Sequence, residues 1–354
     1  MTFPDRFTNL VGIELPIIQA PMAGAATPEL VAAVGNAGGL GSLGVAMMTP
    51  EVLRETVAKT RALTDKPFNL NYFVHGEPAL AGFDAGPMRG ALAPFYQSHD
   101  LGEVPTPASP APAFNAEALK LLLELCPKVA SFHFGLPDAA ALSAIRAKGI
   151  IIIGCATTTA EARALEHGGA DAIVAQGHEA GGHRGTFLDH VDLGSVGTMA
   201  LVPQMVDAVK VPVIAAGGIG DARGIAASFM LGAEAVQLGT AYLVTPECAT
   251  HAVHRKALDE VSDHGTVVTK LFSGRPARAI RNHLTEGLHD LEGKAAPFPA
   301  QRGMVAPLIT ASGKAGRGEF MQMWSGQAAA LSKPEAAGAK TTRLMAEALA
   351  LLGK

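Results

Sequence analysis

Charge is scarce in this chain. Only 17% of its 354 residues are Asp, Glu, Lys or Arg, below the roughly 25% usual for soluble domains. The formal net charge is -4, and the basic residues are not clustered, which argues against nucleic acid or an anionic membrane as a partner. Cysteine is nearly absent too. Cys126, Cys155 and Cys248 are an odd number of isolated residues, with neither the spacing of a metal site nor the density of a disulfide framework. They fit buried thiols in a reducing cytosol, and Cys155, at the end of an Ile-rich run, is expected to pack in the core. No apolar run approaches the ~18 residues of a membrane span, and Met1 to Phe7 shows no apolar signal-peptide segment. The expectation is a soluble, cytoplasmic protein.

Apolar residues and glycine take up the space that charge leaves. Hydrophobic residues make up 48% of the chain and glycines number 40, more than the ~7% average supplies, so many tight turns are expected. Ile13 to Gln19 reads as an apolar strand entering Ala20-Pro21-Met22-Ala23-Gly24. Thr27, with Pro28 and Glu29 behind it, starts a helix to Asn36. Leu40 to Val45 is a second strand, Thr49-Pro50-Glu51 opens a helix to about Leu63, and Phe68 to Phe73 is a third strand. His75 to Phe114 then breaks the rhythm, with Pro105, Pro107, Pro110 and Pro112 near its end. Its length predicts a lid, arm or inserted subdomain, with a short helix over Gly86 to Tyr96. Alternation resumes with helices at Ala116–Leu125, Asp138–Lys148, Thr157–His167, from Gly194 or Ser195, and at Asp221–Leu231. The strands between them are Val129–Phe134, Gly149–Gly154, Ala172–Ala175, Val211–Ala215 and Ala235–Leu238.

Strict alternation implies a parallel sheet. Eight such units in about 240 residues fit an α/β fold of the closed (β/α)8 kind, the TIM barrel. An open doubly wound sheet would carry its glycine fingerprint after the first strand, and Ala20 to Gly24 is not that fingerprint. Residues 1–245 are expected to form the barrel, with 74–115 as an inserted segment after strand 3. Residues 246–354 read as a mostly helical C-terminal extension folding back across the barrel mouth, with an irregular stretch from Gly287 to Gly303.

In a barrel all strand carboxyl ends face one mouth. The stretch Gln176-Gly-His-Glu-Ala-Gly-Gly-His-Arg-Gly185 sits at such an end and sets glycines around two imidazoles, a carboxylate and a guanidinium. Glycine permits close backbone approach to a ligand, and histidine exchanges protons near neutral pH. A solvated turn is the plainer alternative. The loops Ala215-Ala-Gly-Gly218-Ile and Gln237-Leu-Gly239-Thr240 occupy the places where barrels often hold a phosphate, their amides and the Thr240 hydroxyl making an anion nest; ordinary helix capping is the alternative. The strand ends lack the Schiff-base lysine or paired carboxylates that aldolases and isomerases usually need. They carry amides, glycines, histidines and methionine instead. Asn71 and Gln176 offer donor and acceptor to an imide-like ring edge, so a cofactor doing redox work is favoured. Glu179 either orients His183 or Arg184 or caps its turn. Arg275 and Arg278 read as a solvated face, with reach to a cofactor phosphate as the alternative, His75, His178 and His190 as solvated or structural, and Met47, Met48, Met321 and Met323 as core fillers.

Gln19-Ala-Pro-Met22, Ser131-Phe-His-Phe-Gly135, Gly177-His-Glu-Ala-Gly-Gly-His-Arg-Gly185 and Ala215-Ala-Gly-Gly-Ile219 resemble, in order, four signature segments of the nitronate monooxygenases, formerly 2-nitropropane dioxygenases. The class I bacterial branch matches best, and Gly274-Arg-Pro-Ala-Arg278 and Trp324-Ser-Gly-Gln-Ala328 also look like that family's tail. The resemblance implies a TIM barrel holding FMN non-covalently through Ala20, Pro21, Met22, Gly24, Asn71, Gln176, Gly181, Gly182, Gly217, Gly218, Gln237, Leu238, Gly239 and Thr240. It implies that His183 faces the flavin ring as the catalytic histidine and that His133 faces the substrate, with no metal. The implied reaction oxidises alkyl nitronates, propionate 3-nitronate above all, with O2 to a carbonyl compound and nitrite. One departure stands out: class I pockets often hold several tyrosines, whereas this chain has only Tyr72, Tyr96 and Tyr242, with Phe298 in the corresponding stretch. The competing readings are an NAD(P)H-dependent flavin reductase acting on quinones or enoyl thioesters, and a non-catalytic phosphate-binding barrel. A nitronate and O2 are the expected partners, and monomer and homodimer both stay open.

Overall fold

The computed structural model describes residues 3–108, 113–188 and 191–353; Pro110, Pro112 and His190 lie outside them. Eight parallel strands alternate with helices: β1 Ile17–Gln19, β2 Gly41–Gly44, β3 Phe68–Phe73, β4 Val129–His133, β5 Ile151–Ala156, β6 Ala172–Gln176, β7 Val213–Ala216 and β8 Ala235–Leu238. Their spatial order is β1-β8-β7-β6-β5-β4-β3-β2. The ring closes where Ile18 bridges Leu40: Gln19 N donates to Leu40 O at 3.0 Å, and Leu40 N to Ile17 O at 2.9 Å. This is the (β/α)8 barrel that the alternation implied.

Side-chain alternation along each strand sorts the two faces of the barrel wall. In β5, Ile151, Ile153 and Cys155 point into the interior cluster with Ile18, Val174 and Ile214. Ile152 points out, against Leu142 and Ile145. A short helix, Arg6–Val11, inserts Phe7 and Val11 into the interior beside the first residues of the strands, Val129, Ile151 and Ala172. It plugs the amino-terminal mouth, leaving the carboxyl-terminal mouth for a site. Helix starts follow local chemistry: Thr27 accepts from Leu30 N at 3.1 Å with Pro28 at the first turn, and Asn115, Asp138 and Asp221 cap in the same way.

Two features differ from the local reading. The helix expected from Gly194 or Ser195 begins at Thr198, because Glu179, 19 residues earlier, caps it from outside: Thr198 N lies 3.0 and 2.9 Å from the two carboxylate oxygens. The tail is also less helical than its composition implies. Thr266–Thr269 and Ala277–Ile280 form an antiparallel pair, and the second of these pairs with Gly182–His183 of the glycine-rich loop. A strand whose partner lies about 95 residues away leaves little local signature. The inserted segment and the tail share an apolar cluster: Met88, Leu92 and Tyr96 pack with Phe272, Met304 and Leu308, and Tyr96 Oη donates to Met304 O at 2.7 Å. The last helix, Ala337–Leu351, returns to the barrel and packs Leu344 and Met345 with Leu30 and Ile225.

Gly41 permits the tight fit of β2 beneath the helix Pro28–Asn36. A Cβ there would meet Val31 O at 2.4 Å and Val31 Cα at 2.6 Å. Gly41→Ala is therefore expected to lower stability by about 1–3 kcal/mol, as overpacking does. The urea midpoint measures it, and an unchanged midpoint would show that the helix yields freely.

Candidate active site

The loop after β6 is held from within. Gln176 uses both ends of its amide: Nε2 donates to His183 O at 2.9 Å, and Oε1 accepts from Gly185 N at 2.8 Å. Arg184 is fully buried and donates to the carbonyls of Gly177 (2.6 Å), Gln176 (3.0 Å) and Gly194 (3.1 Å). Burial pushes that guanidinium down to about 10. Gly181 lets the loop touch the tail, since a Cβ there would fall 2.6 Å from Gly326 N. These bonds present the His183 carbonyl to His133, whose Nε2 lies 3.1 Å away. A carbonyl only accepts, so this nitrogen of His133 carries the hydrogen.

The His183 ring stands in an aromatic box, with centroids 5.8 Å from Phe73, 5.9 Å from Phe134, 5.4 Å from Phe298 and 5.3 Å from Trp324. Its Nε2 is 2.9 Å from Ser273 Oγ, which is also 3.2 Å from the carbonyl of Arg275. With the serine hydrogen given to that carbonyl, His183 Nε2 donates and Nδ1 keeps its lone pair. Burial pushes the His183 ring down to about 3, aided by its coupling to the His133 ring and by the positive Arg275 and Arg302. His133 is likewise pushed to about 4, chiefly by burial. Each ring keeps an accessible edge, but that edge faces a protein-walled cavity, and both rings are neutral at pH 7.

That cavity, about 550 Å³, lies at the strand carboxyl ends. Ala20, Pro21, Met22 and Gly24 line it after β1, Asn71 in β3, His133 in β4, and Gln176 with Gly181, Gly182 and His183 after β6. Gly217 and Gly218 follow from β7, and Gln237, Gly239 and Thr240 from β8. Leu238 is the exception: its side chain is buried in the apolar layer outside the cavity, because it alternates with Gln237 along the strand. Asn71 is half committed, its Nδ2 donating to Ser131 Oγ at 2.9 Å, which leaves Oδ1 without a partner among the described residues. Glu179 caps the Thr198 helix instead of touching His183. Arg275 and Arg278 are not a solvated face. Arg275 lies 3.8 Å over the Phe134 ring, and Arg278 is buried and donates to His178 O at 3.0 Å. Met47 is half exposed and lines the cavity, so it is not core.

Sequence reasoning missed Phe73, Phe134, Ser273, His254 and Arg302. His254, pushed to about 4 by burial, has its Nε2 3.1 Å from Trp324 O and lines the cavity. Phe73 and Phe134 lie beside Asn71 and His133 at strand ends already singled out, and Ser273 had a local hint in the break at Ser273-Gly274-Arg275-Pro276; His254 and Arg302 arrive from segments distant in the chain.

Fold and cavity together define a (β/α)8 barrel with a cavity at its carboxyl-terminal mouth. A sequence model of the family described as nitronate monooxygenase matches residues 5–345. A "Probable nitronate monooxygenase" of Staphylococcus haemolyticus is 38% identical over 354 residues, 99% of each chain. One from Staphylococcus aureus is 40% identical over 93% of this chain and 92% of its own. Among solved structures, the nitroalkane oxidase of Streptomyces ansochromogenes superposes with a TM-score of 0.87 at 36% identity, covering 98% of this chain and 99% of its own. FabK from Thermotoga maritima gives 0.76 at 30%, covering 100% and 98%. The chain belongs to the nitronate monooxygenase family, a class of flavin-dependent oxidoreductases.

Both imidazoles titrate below the ordinary 6.5 in the folded state. Between about pH 6.5 and 4 the unfolded chain therefore binds protons that the folded chain refuses, so stability is full above that window and falls with acid. Urea midpoints are expected to drop across it, and to drop less in His183→Asn and His133→Asn. Equal slopes in wild type and variants would show that neither ring is held neutral.

Proposed function

We propose that this protein oxidises alkyl nitronates with O2 to a carbonyl compound and nitrite, using non-covalently bound FMN. The observation that carries the reading is one cavity with unpaired backbone amides at the ends of β7 and β8 and two neutral imidazoles on its other wall. The residues fit the cofactor. A volume of about 550 Å³ falls within the roughly 300–1,000 Å³ of small-molecule sites. The amides of Gly218 and Thr240 have no acceptor among the described residues, and Cβ atoms built on Gly24 and Gly182 meet nothing within 4 Å. Gly217, Gly218, Gly239 and Thr240 would hold the phosphate. Asn71, with its free Oδ1, Gln176 and Met22 would border the ring system.

When bound, FMN would supply the acceptance of electrons from the nitronate and their transfer to O2. The protein's own groups do the rest. Phe73, Phe134, Phe298 and Trp324 exclude water around His183. Ser273 fixes the tilt of that ring, and the shared carbonyl of His183 fixes His133. An anionic nitronate entering beside these neutral rings favours their protonated forms, which places an N–H donor where negative charge sits. The same site without nitronate chemistry is the reductase reading, which the likeness to FabK keeps in view.

Protein loaded with FMN is expected to be yellow, to consume O2 with propionate 3-nitronate and to release nitrite. His183→Asn is expected to stay yellow and lose roughly 10²–10³ in kcat, the usual cost of removing one donor to negative charge in a dry site. Absence of O2 uptake in the flavin-loaded protein, with anaerobic bleaching by NADPH, would replace this reading with the reductase.

A further inference from the structure

Strands β3 and β4 lie side by side, with Asn71 opposite Ser131 and Phe73 opposite His133. Alternation turns these residues inward, since Leu70, Tyr72, Ala130 and Phe132 pack in the outer layer. Asn71 and Ser131 thus sit one layer deeper than His133, and both line the cavity. Ser131 Oγ accepts from Asn69 Nδ2 at 2.9 Å and from Asn71 Nδ2 at 2.9 Å. The Asn71 amide is oriented by a further contact, because its Nδ2 also lies 3.4 Å from the Ser131 carbonyl. A hydroxyl has two lone pairs and one hydrogen. Both lone pairs of Ser131 are taken, and its hydrogen meets no acceptor among the described residues. The cavity is the direction left to it. Beside it, Asn71 Oδ1 also has no partner among the described residues, so adjacent strands present a donor and an acceptor next to each other.

We propose that Ser131 donates its hydroxyl hydrogen to a ring carbonyl of the bound flavin, while Asn71 Oδ1 accepts from the ring N–H beside that carbonyl. The inference rests on the FMN reading and adds a residue to it. A neighbouring donor and acceptor match an imide edge, which offers C=O and N–H in adjacent positions. The Gln176 amide is gripped at both ends by its own loop, so Ser131 supplies the donor. Carbonyls at that edge gain negative charge when the ring accepts electrons, and a hydrogen bond to a charged acceptor is roughly twice as strong as one to a neutral acceptor. Ser131 therefore holds reduced flavin more tightly than oxidised flavin and raises its potential. Asn69 is a positioning residue: its buried Nδ2 occupies the inner lone pair of the serine and keeps the hydrogen turned toward the cavity.

Three measurements test this: fluorescence quenching as FMN is titrated into flavin-free protein, the midpoint potential from dithionite reduction beside a reference dye, and the infrared carbonyl stretches of bound FMN. Ser131→Ala is expected to bind oxidised FMN about two- to tenfold more weakly. Reduced FMN should lose about tenfold more than that, which lowers the two-electron potential by about 30 mV. A flavin carbonyl stretch should move to higher frequency in Ser131→Ala, and in the wild type it should lie below its position in an aprotic solvent. Ser131→Thr keeps the hydroxyl and should keep the wild-type potential and stretch. Wild-type potential and stretch in Ser131→Ala would overturn the proposal even if affinity falls, since lost packing lowers affinity without touching the carbonyl. A potential that drops equally in Ser131→Ala and Ser131→Thr, with the stretch unmoved, would assign the effect to displaced packing and equally overturn it. Failure of the wild type to take up FMN would remove the FMN reading and this inference with it.

Discussion

The site depends on one side chain that faces both ways. Gln176 stands at the end of β6 and spends its amide on its own loop, gripping the carbonyl of His183 and the amide of Gly185. Leaving either partner buried and unpaired would cost about 1–3 kcal/mol, so the loop has little freedom to open. From that grip the rest follows. His133 binds the same carbonyl from β4, Arg184 is drawn under the loop to satisfy three carbonyls, and Gly182–His183 is presented as a strand edge to the tail. The imidazole of residue 183 is thereby aimed by backbone hydrogen bonds, and its ring is finished by Ser273 and the surrounding aromatics.

Around this frame the electrostatics are lopsided. Arg184 and Arg278 are buried near the loop and Arg275 is partly buried, none with an ion pair among the described residues, while the cavity wall itself is almost free of formal charge. Nearby positive charge and exclusion of water together hold the histidines neutral, whereas a lone acidic neighbour would have done the opposite. Such a cavity disfavours cations, in keeping with the proposed nitronate substrate and phosphate-bearing cofactor.

Much of the barrel was legible because its cues are local. Thr27-Pro28 and Thr49-Pro50 announce helix starts within four residues, and runs such as Ile150–Ile153 announce strands buried on both faces. The eight strands stand where these cues put them. Parallel strands also fix where their ends gather, so residues as far apart as Met22, Asn71, His133 and Thr240 were placed on one cavity without any knowledge of contacts. The same logic misjudged Leu238, which the alternation of β8 turns away from Gln237, and the arginines of the tail, whose burial depends on Phe134 and His178 lying above them.

By itself the amino-acid sequence determined the alternation of strand and helix, the glycine-rich strand ends and the poverty of charge, because each is written in neighbouring residues and in composition. Tertiary structure alone decided that Ser273 meets His183 across 90 positions, that the insertion and the tail share a core, and that Arg302 lines the cavity. Those outcomes turn on which distant surfaces bury one another. Burial, by removing water, sets the charge state and the partner of every group it covers.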